Sequence, residues 1–141
     1  MTLLDSDHFS VLADPRHRRQ AELRRRLRGS DDLIAIPIVA AEEQLRGWLA
    51  EIHRIRQPHK QIVPYVRLAK LIDFFSEWQI IHWNEPAADE FVKLREQRIR
   101  IGTQDLKIAA IALANDALLL SANLRDFNKV PLLRVEDWLR E

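Results

Sequence analysis

The sequence predicts an α/β fold, a three-layer α/β/α sandwich with a central parallel sheet. Two observations lead there. Short apolar runs of strand length alternate with longer stretches whose apolar residues recur at helical spacing. The short runs are apolar at successive positions, as in strands covered on both faces. The chain has 141 residues, 47% hydrophobic and 30% charged, so a single domain over 1–141 is expected. With 3 Gly and 6 Pro it offers no linker or low-complexity segment.

The elements follow in order. Leu3 and Leu4 open a buried strand that ends at Asp5. Asp14-Pro15 reads as an N-cap with proline at the first helical position, and Gly29 closes that helix. Residues 33–36 form a second strand, ended by Pro37. A helix over about 38–56 carries the stripe Ala41, Leu45, Trp48, Ile52 and Ile55. A second amphipathic helix over 62–78 tolerates Pro64 because it falls in the first turn. These two helices form a hairpin. Ile80 and Ile81 make a brief strand, followed by a helix over about 86–99. Thr103 caps a helix through Ala114 that is apolar nearly all round and therefore central. Residues 117–120 are a buried strand, and Leu132-Leu133 a last short one before Trp138.

Composition excludes several chemistries. Cys is absent, so disulfides, thiol nucleophiles and cysteine-zinc sites are ruled out. The longest apolar run, 108–114, is too short to span a bilayer. No basic region followed by an apolar stretch opens the chain, so a cytoplasmic protein without a signal peptide is expected. The five histidines, His8, His17, His53, His59 and His82, show no pair at metal-ligand spacing, and structural or solvent roles are expected for them. Of these, only His8 lies near the acidic positions described next.

In an open α/β sheet, ligands sit outside the carboxyl ends of the strands. Asp5 ends the first strand; Ser121, Asn123 and Asp126 follow the 117–120 strand. Asp105 lies in the first turn of the apolar helix, and Glu43 near the start of the 38–56 helix, with Glu42 as its rival. Each has a plainer reading. Asp5, Ser6 and Asp7 would cap a helix starting near His8. Asp105 would complement a helix dipole, and Asp126 would be a turn residue. Together, however, four carboxylates in one pocket would repel one another. Two charges ~4 Å apart cost ~4 kcal/mol at an effective dielectric of ~20. Mg²⁺ or Mn²⁺ is the natural counterweight, because hard cations choose oxygen ligands.

The net charge of +1 is unevenly placed. Arg16, Arg18, Arg19, Arg24, Arg25, Arg26 and Arg28 face Glu22 alone, giving +6 over residues 16–28 and −5 elsewhere. Such a block suits a polyanion, or it is a solvated helix face. Trp48, Trp78, Trp83 and Trp138 would stack on unpaired bases or pack in the core and at a dimer surface.

Four segments resemble motifs of PIN-domain ribonucleases, and of VapC-like toxins of toxin–antitoxin pairs in particular. They are Leu3-Leu4-Asp5-Ser6-Asp7 with Ser10, Glu43-Gln44-Leu45-Arg46-Gly47, Asp105-Leu106-Lys107-Ile108-Ala109-Ala110, and Ser121-Ala122-Asn123-Leu124-Arg125-Asp126-Phe127. They fall in the family's order and span the chain. Ser6 stands where Thr is commoner. The resemblance implies a single PIN-like domain in which Asp5, Glu43, Asp105 and Asp126 hold Mg²⁺ or Mn²⁺. Ser121 and Asn123 would support them by hydrogen bonding. It implies metal-dependent hydrolysis of RNA phosphodiesters, a homodimer and a cognate antitoxin protein. Lys107 and Arg125, within the motifs, are candidate phosphate contacts. The alternatives are a non-catalytic module that binds RNA or antitoxin, and a DNA-cutting nuclease of the same fold. A phospho-accepting receiver domain fits poorly, since residues 80–83 supply no acceptor Asp and no Lys ends the 117–120 strand.

Overall fold

The structure is a computed structural model that describes residues 1–140. Five parallel strands form one sheet: β1 (Thr2–Leu4), β2 (Ile34–Pro37), β3 (Gln79–Ile81), β4 (Leu118–Leu120) and β5 (Arg134–Glu136), in spatial order β3-β2-β1-β4-β5. Between β1 and β2 lie α1 (Ser6–Ala13) and α2 (Gln20–Arg28); between β2 and β3 lie α3 (Ile38–Arg54) and α4 (Ile62–Ser76). The return from β3 to β4 carries α5 (Glu85–Glu96) and α6 (Thr103–Ala114), and the short α7 (Leu124–Phe127) precedes β5.

The strand order fixes the layers. From β1 to β3 the chain steps one way across the sheet, and from β3 to β5 it steps the other way. Right-handed crossovers then put the helices of the two halves on opposite faces. The direction reverses between β1 and β4, and the crevice at their carboxyl ends is the topological switch point.

The strands read so clearly because they are dry on both faces. Leu3, Leu4, Ala35, Ile36, Leu119 and Leu120 are all completely buried. Leu3 pairs with Leu119 and Leu4 with Leu120 in register. Helix α6 is buried along most of its circumference, with Ile108, Ala109, Ala110, Ile111 and Ala112 all inaccessible to solvent. Its alanines remove the bulk that would hold it off neighbouring elements. Truncating Ile108 or Ile111 to Ala would cost about 2–5 kcal/mol.

Three expectations need correction. The helix expected to start at Asp14-Pro15 starts at Gln20 instead. Asp14 makes a turn, its carboxylate accepting from the Arg16 amide at 3.0 Å and its carbonyl from the His17 amide at 3.1 Å. A separate helix, α1, precedes that turn. The last strand is Arg134–Glu136, not Leu132-Leu133. Leu132 has a φ of 68° and is 94% exposed, because it turns the chain after Pro131 rather than pairing. Thr103 does not cap α6. Gly102 occupies the cap position and Thr103 begins the helix, without a side-chain cap bond. Asn84 does cap α5, its side chain accepting from the Ala87 amide at 3.1 Å, so Pro86 sits just inside that helix. Among the described residues no helix is long and apolar enough to cross a membrane.

Candidate active site

The switch point brings the acids together. Strand β1 delivers Asp5, which is only 7% exposed. Its two oxygens do different things. Oδ1 accepts from the Ser6 amide at 2.7 Å and caps α1, while Oδ2 accepts from the Ser121 hydroxyl at 2.8 Å. The capping role and the site role therefore coexist in one carboxylate.

Ser121 follows β4 and is fully buried. Its amide donates to the Glu136 carbonyl at 3.0 Å, and its Oγ accepts from the Asn123 amide at 3.0 Å. Asn123 then links the remaining acids. Its Nδ2 donates to Asp105 Oδ2 at 3.2 Å and to Asp126 Oδ2 at 3.1 Å. Asp105 comes from the first turn of α6 and Asp126 from α7.

Glu43 enters from the second turn of α3. Its Oε1 is buried and finds no hydrogen-bond partner among the described residues. Glu42 points elsewhere: it pairs with Arg46, and its Oε1 accepts from Gln104 Nε2 at 2.9 Å. Of the two neighbours, Glu43 is the one that faces the other acids.

The electrostatics follow from this geometry. Burial pushes the Asp5 carboxyl up to about 6, and Asp7 and Asp105 add to the shift, while the bonds from Ser121 and Ser6 oppose it. Burial pushes Glu43 up to about 7, with the charges of Asp5, Asp105 and Glu42 adding to it. Asp105 is also raised, first by burial and further by Asp126 and Asp7, against the bond from Asn123. Asp126 behaves differently. The Asn123 bond lowers it, and Lys129, 3.5 Å away, holds it ionised at the rim.

Asp5, Glu43 and Asp105 thus form one repelling cluster, to which Asp126 is joined through Asn123. Among the described residues no three acidic or imidazole side chains converge tightly enough to enclose a metal ion alone. The donor set is all oxygen, and the Glu43 oxygen has no donor. That combination fits a hard divalent cation that keeps part of its water shell, rather than a protein cage.

Lys107 and Arg125, the candidate phosphate contacts, sit on α6 and α7. Lys107 is half-buried, its Nζ 5.7 Å from the centre of the Trp83 ring. Arg125 is exposed on α7. Much of the arginine block is engaged within the protein. Arg25 pairs with Glu22, Arg26 stacks on Trp138 at 4.3 Å, and Arg19 and Arg24 donate to the Arg140 and Leu12 carbonyls. Trp48 and Trp78 pack partly buried against the core.

Sequence reasoning gave Asp7 no more than a capping role and His8 a structural or solvent one. Asp7 Oδ2 accepts from the Ala122 amide at 2.8 Å, with Ser121 Oγ 3.3 Å away, and Asp7 Oδ1 lies 2.6 Å from His8 Nδ1. The available signal was the spacing of His8, Val11 and Leu12, which places the imidazole on the buried stripe of α1.

Comparison with known proteins bears on this arrangement. No protein-family profile matches the chain. It is similar to ribonuclease VapC2 of Haemophilus influenzae, 34% identical over 84 residues that make up 57% of this chain and 64% of that protein. It is similar to the tRNA(fMet)-specific endonuclease VapC of Salmonella typhimurium, 30% identical over 83 residues, 56% of this chain and 63% of that protein. The matches therefore span a little under two thirds of these curated relatives. In structure it superposes on DNA-bound VapBC from Salmonella typhimurium with a TM-score of 0.74, at 21% identity over 97% of both chains. It superposes on VapBC-1 from nontypeable Haemophilus influenzae with a TM-score of 0.72, at 21% identity, over 99% of this chain and 98% of that one. The fold is that of VapC proteins. The likeness to VapC proteins thus holds in sequence over 56–57% of the chain and in fold over nearly all of it.

Proposed function

We propose that the chain is a metal-dependent endoribonuclease that hydrolyses RNA phosphodiester bonds, and that it is the toxin of a toxin–antitoxin pair. The observation that carries this is the cluster of Asp5, Glu43 and Asp105 at the switch point, with carboxyls raised by burial and mutual repulsion and a Glu43 oxygen that finds no donor among the described residues. The VapC relatives named as ribonuclease and tRNA endonuclease support the choice of RNA over DNA. The VapBC complexes among the structural neighbours support an antitoxin partner.

Asp5, Glu43, Asp105 and Asp126 would hold Mg²⁺ or Mn²⁺. The ion would make an attacking water more acidic and neutralise charge gathering on the phosphoryl oxygens. The chain's own groups do the rest. Ser121 fixes the rotamer of Asp5, and Asn123 keeps Asp105 and Asp126 side by side. Glu43 Oε1, which finds no donor among the described residues, is left free to serve the ion. Lys107 and Arg125 would contact phosphates flanking the cut. The protein would act in the cytoplasm as a homodimer.

The test uses the purified protein and its Asp5→Asn and Asp105→Asn variants, incubated with total RNA and with initiator tRNA in Mg²⁺, Mn²⁺ or EDTA. Cleavage by the wild type alone, abolished by EDTA, is expected. Equal cleavage by all three proteins would overturn the reading. Metal-dependent cleavage of DNA but not RNA would replace it with a deoxyribonuclease.

A further inference from the structure

Helix α1 carries a completely buried imidazole that the chemistry above does not use. His8 is inaccessible to solvent, on the face of α1 that also buries Phe9, Val11 and Leu12. Both ring nitrogens are engaged. The Trp138 backbone amide donates to Nε2 at 3.1 Å, so Nε2 is the acceptor of the ring. The ring proton therefore sits on Nδ1, and there it meets Asp7 Oδ1 at 2.6 Å. The carboxylate of Asp137 lies 3.7 Å from Nε2, beyond hydrogen-bond reach.

Asp7 passes the constraint on. Its second oxygen accepts from the Ala122 amide at 2.8 Å and lies 3.3 Å from Ser121 Oγ. Ser121 in turn holds Asp5, and its Oγ accepts from the Asn123 amide. A continuous path of hydrogen bonds thus runs from the backbone of Trp138 through His8 and Asp7 to the turn after β4. Asp7 also carries negative charge that raises both Asp5 and Asp105. An Asp7 free to rotate would bring that charge to a variable place in the cluster.

We propose that His8 is a positioning residue: its Nδ1–H, with the tautomer set by the Trp138 amide, locks Asp7 onto the Ser121–Ala122 turn and so fixes the arrangement of the acidic site. This deepens the ribonuclease reading and rests on it for its effect on cleavage. Residues that orient a metal site from behind typically alter metal affinity or activity by 10–100-fold.

Amide side chains separate the two ring nitrogens. In His8→Asn the side-chain NH₂ falls near the place of Nδ1 and can still donate to Asp7. In His8→Gln the amide reaches the place of Nε2 and meets Trp138 instead. His8→Leu fills the volume and supplies neither. Three readouts are taken: Mn²⁺ binding by calorimetry without RNA, kcat and KM for RNA cleavage, and hydrogen exchange of the Ala122 amide. His8→Leu and His8→Gln are expected to lose about 10-fold or more in Mn²⁺ affinity and in kcat with KM little changed, and Ala122 exchange should speed up. His8→Asn should recover most of each loss. The inference is overturned if His8→Leu matches the wild type, or if His8→Asn falls as far as His8→Leu, which would mean that ring packing alone matters. Should the wild type neither bind Mn²⁺ nor cleave RNA, the nuclease reading fails. Ala122 exchange then decides the role of His8 by itself, with protection kept in His8→Asn and lost in His8→Leu supporting it and any other pattern rejecting it.

Discussion

The Ser121 hydroxyl donates to Asp5 Oδ2 at 2.8 Å across 116 positions of chain. This bond joins the carboxyl ends of two adjacent parallel strands and opposes the rise in the Asp5 carboxyl that burial causes. Removing it has a defined sign. In Ser121→Ala the Asp5 carboxyl moves further above its ordinary value, so the acidic limb of the pH–rate profile for RNA cleavage shifts to higher pH. Ser121→Thr, which keeps the hydroxyl, leaves that limb in place. A limb that does not move in Ser121→Ala would show that Asp5 ionisation does not govern the rate.

Stability without metal should fall as pH rises. Asp5 and Glu43 have folded carboxyls at about 6 and about 7, above their ordinary values. The stability linked to their protonated forms is fully present below about pH 4 and is lost as pH rises through 6 and 7. For Asp5, nearly fully buried, the shift corresponds to about 3 kcal/mol. Calorimetry in EDTA should therefore give a lower Tm at pH 8 than at pH 5. Asp5→Asn should raise Tm at pH 8, and so should added Mn²⁺ in the wild type. A Tm that climbs from pH 5 to pH 8 in EDTA would contradict the repulsion described for this cluster.

The two adjacent glutamates should separate cleanly. Glu42 is spent on Arg46 and Gln104, so Glu42→Gln should cost about 0.5 kcal/mol or less and leave cleavage within a few-fold of wild type. Glu43→Gln should lower kcat by about 100-fold or more, the scale of losing one charged group at a reacting phosphate. It should also raise Tm at pH 8. Steady-state kinetics on the two variants checks both statements, and the reverse ranking would exchange their roles.

Arg125 and Lys107 should act through phosphate. Each single Arg125→Ala or Lys107→Met change is expected to weaken RNA binding across sequences and to flatten the dependence of log Kd on log salt by about 0.7 to 1. Lys107 sits over the Trp83 ring, so Trp83→Leu should free its ammonium group and alter the same slope. Fluorescence anisotropy with single-stranded RNA at several salt concentrations measures all three.

The strands and the central helix were legible because Leu3-Leu4, residues 33–36 and 117–120 are apolar on both faces, which only a fully covered sheet explains. Strand β5 was not. It lies at the sheet edge, where Arg134 and Glu136 stay exposed and leave no apolar run, while the apolar Leu132-Leu133 serves a turn. At the site, the four acids could be named because each sits in a local motif. Asp7 and His8 escaped because their partners, Ala122 and Trp138, lie more than a hundred positions away. Nor does an arginine-rich stretch disclose that Arg26 will rest on Trp138. That contact depends on where β5 leads the chain.

Strand β1 is synthesised long before its neighbour β4. A ribosome that has added Asp5 goes on for 116 positions before Ser121 exists to donate to it. Until then the first strand lacks one of its two flanking partners, and Asp5 Oδ2 and Asp105 lack the donors that hold them. A chain cut short before Ser121 therefore lacks the hydrogen bonds that hold these carboxylates.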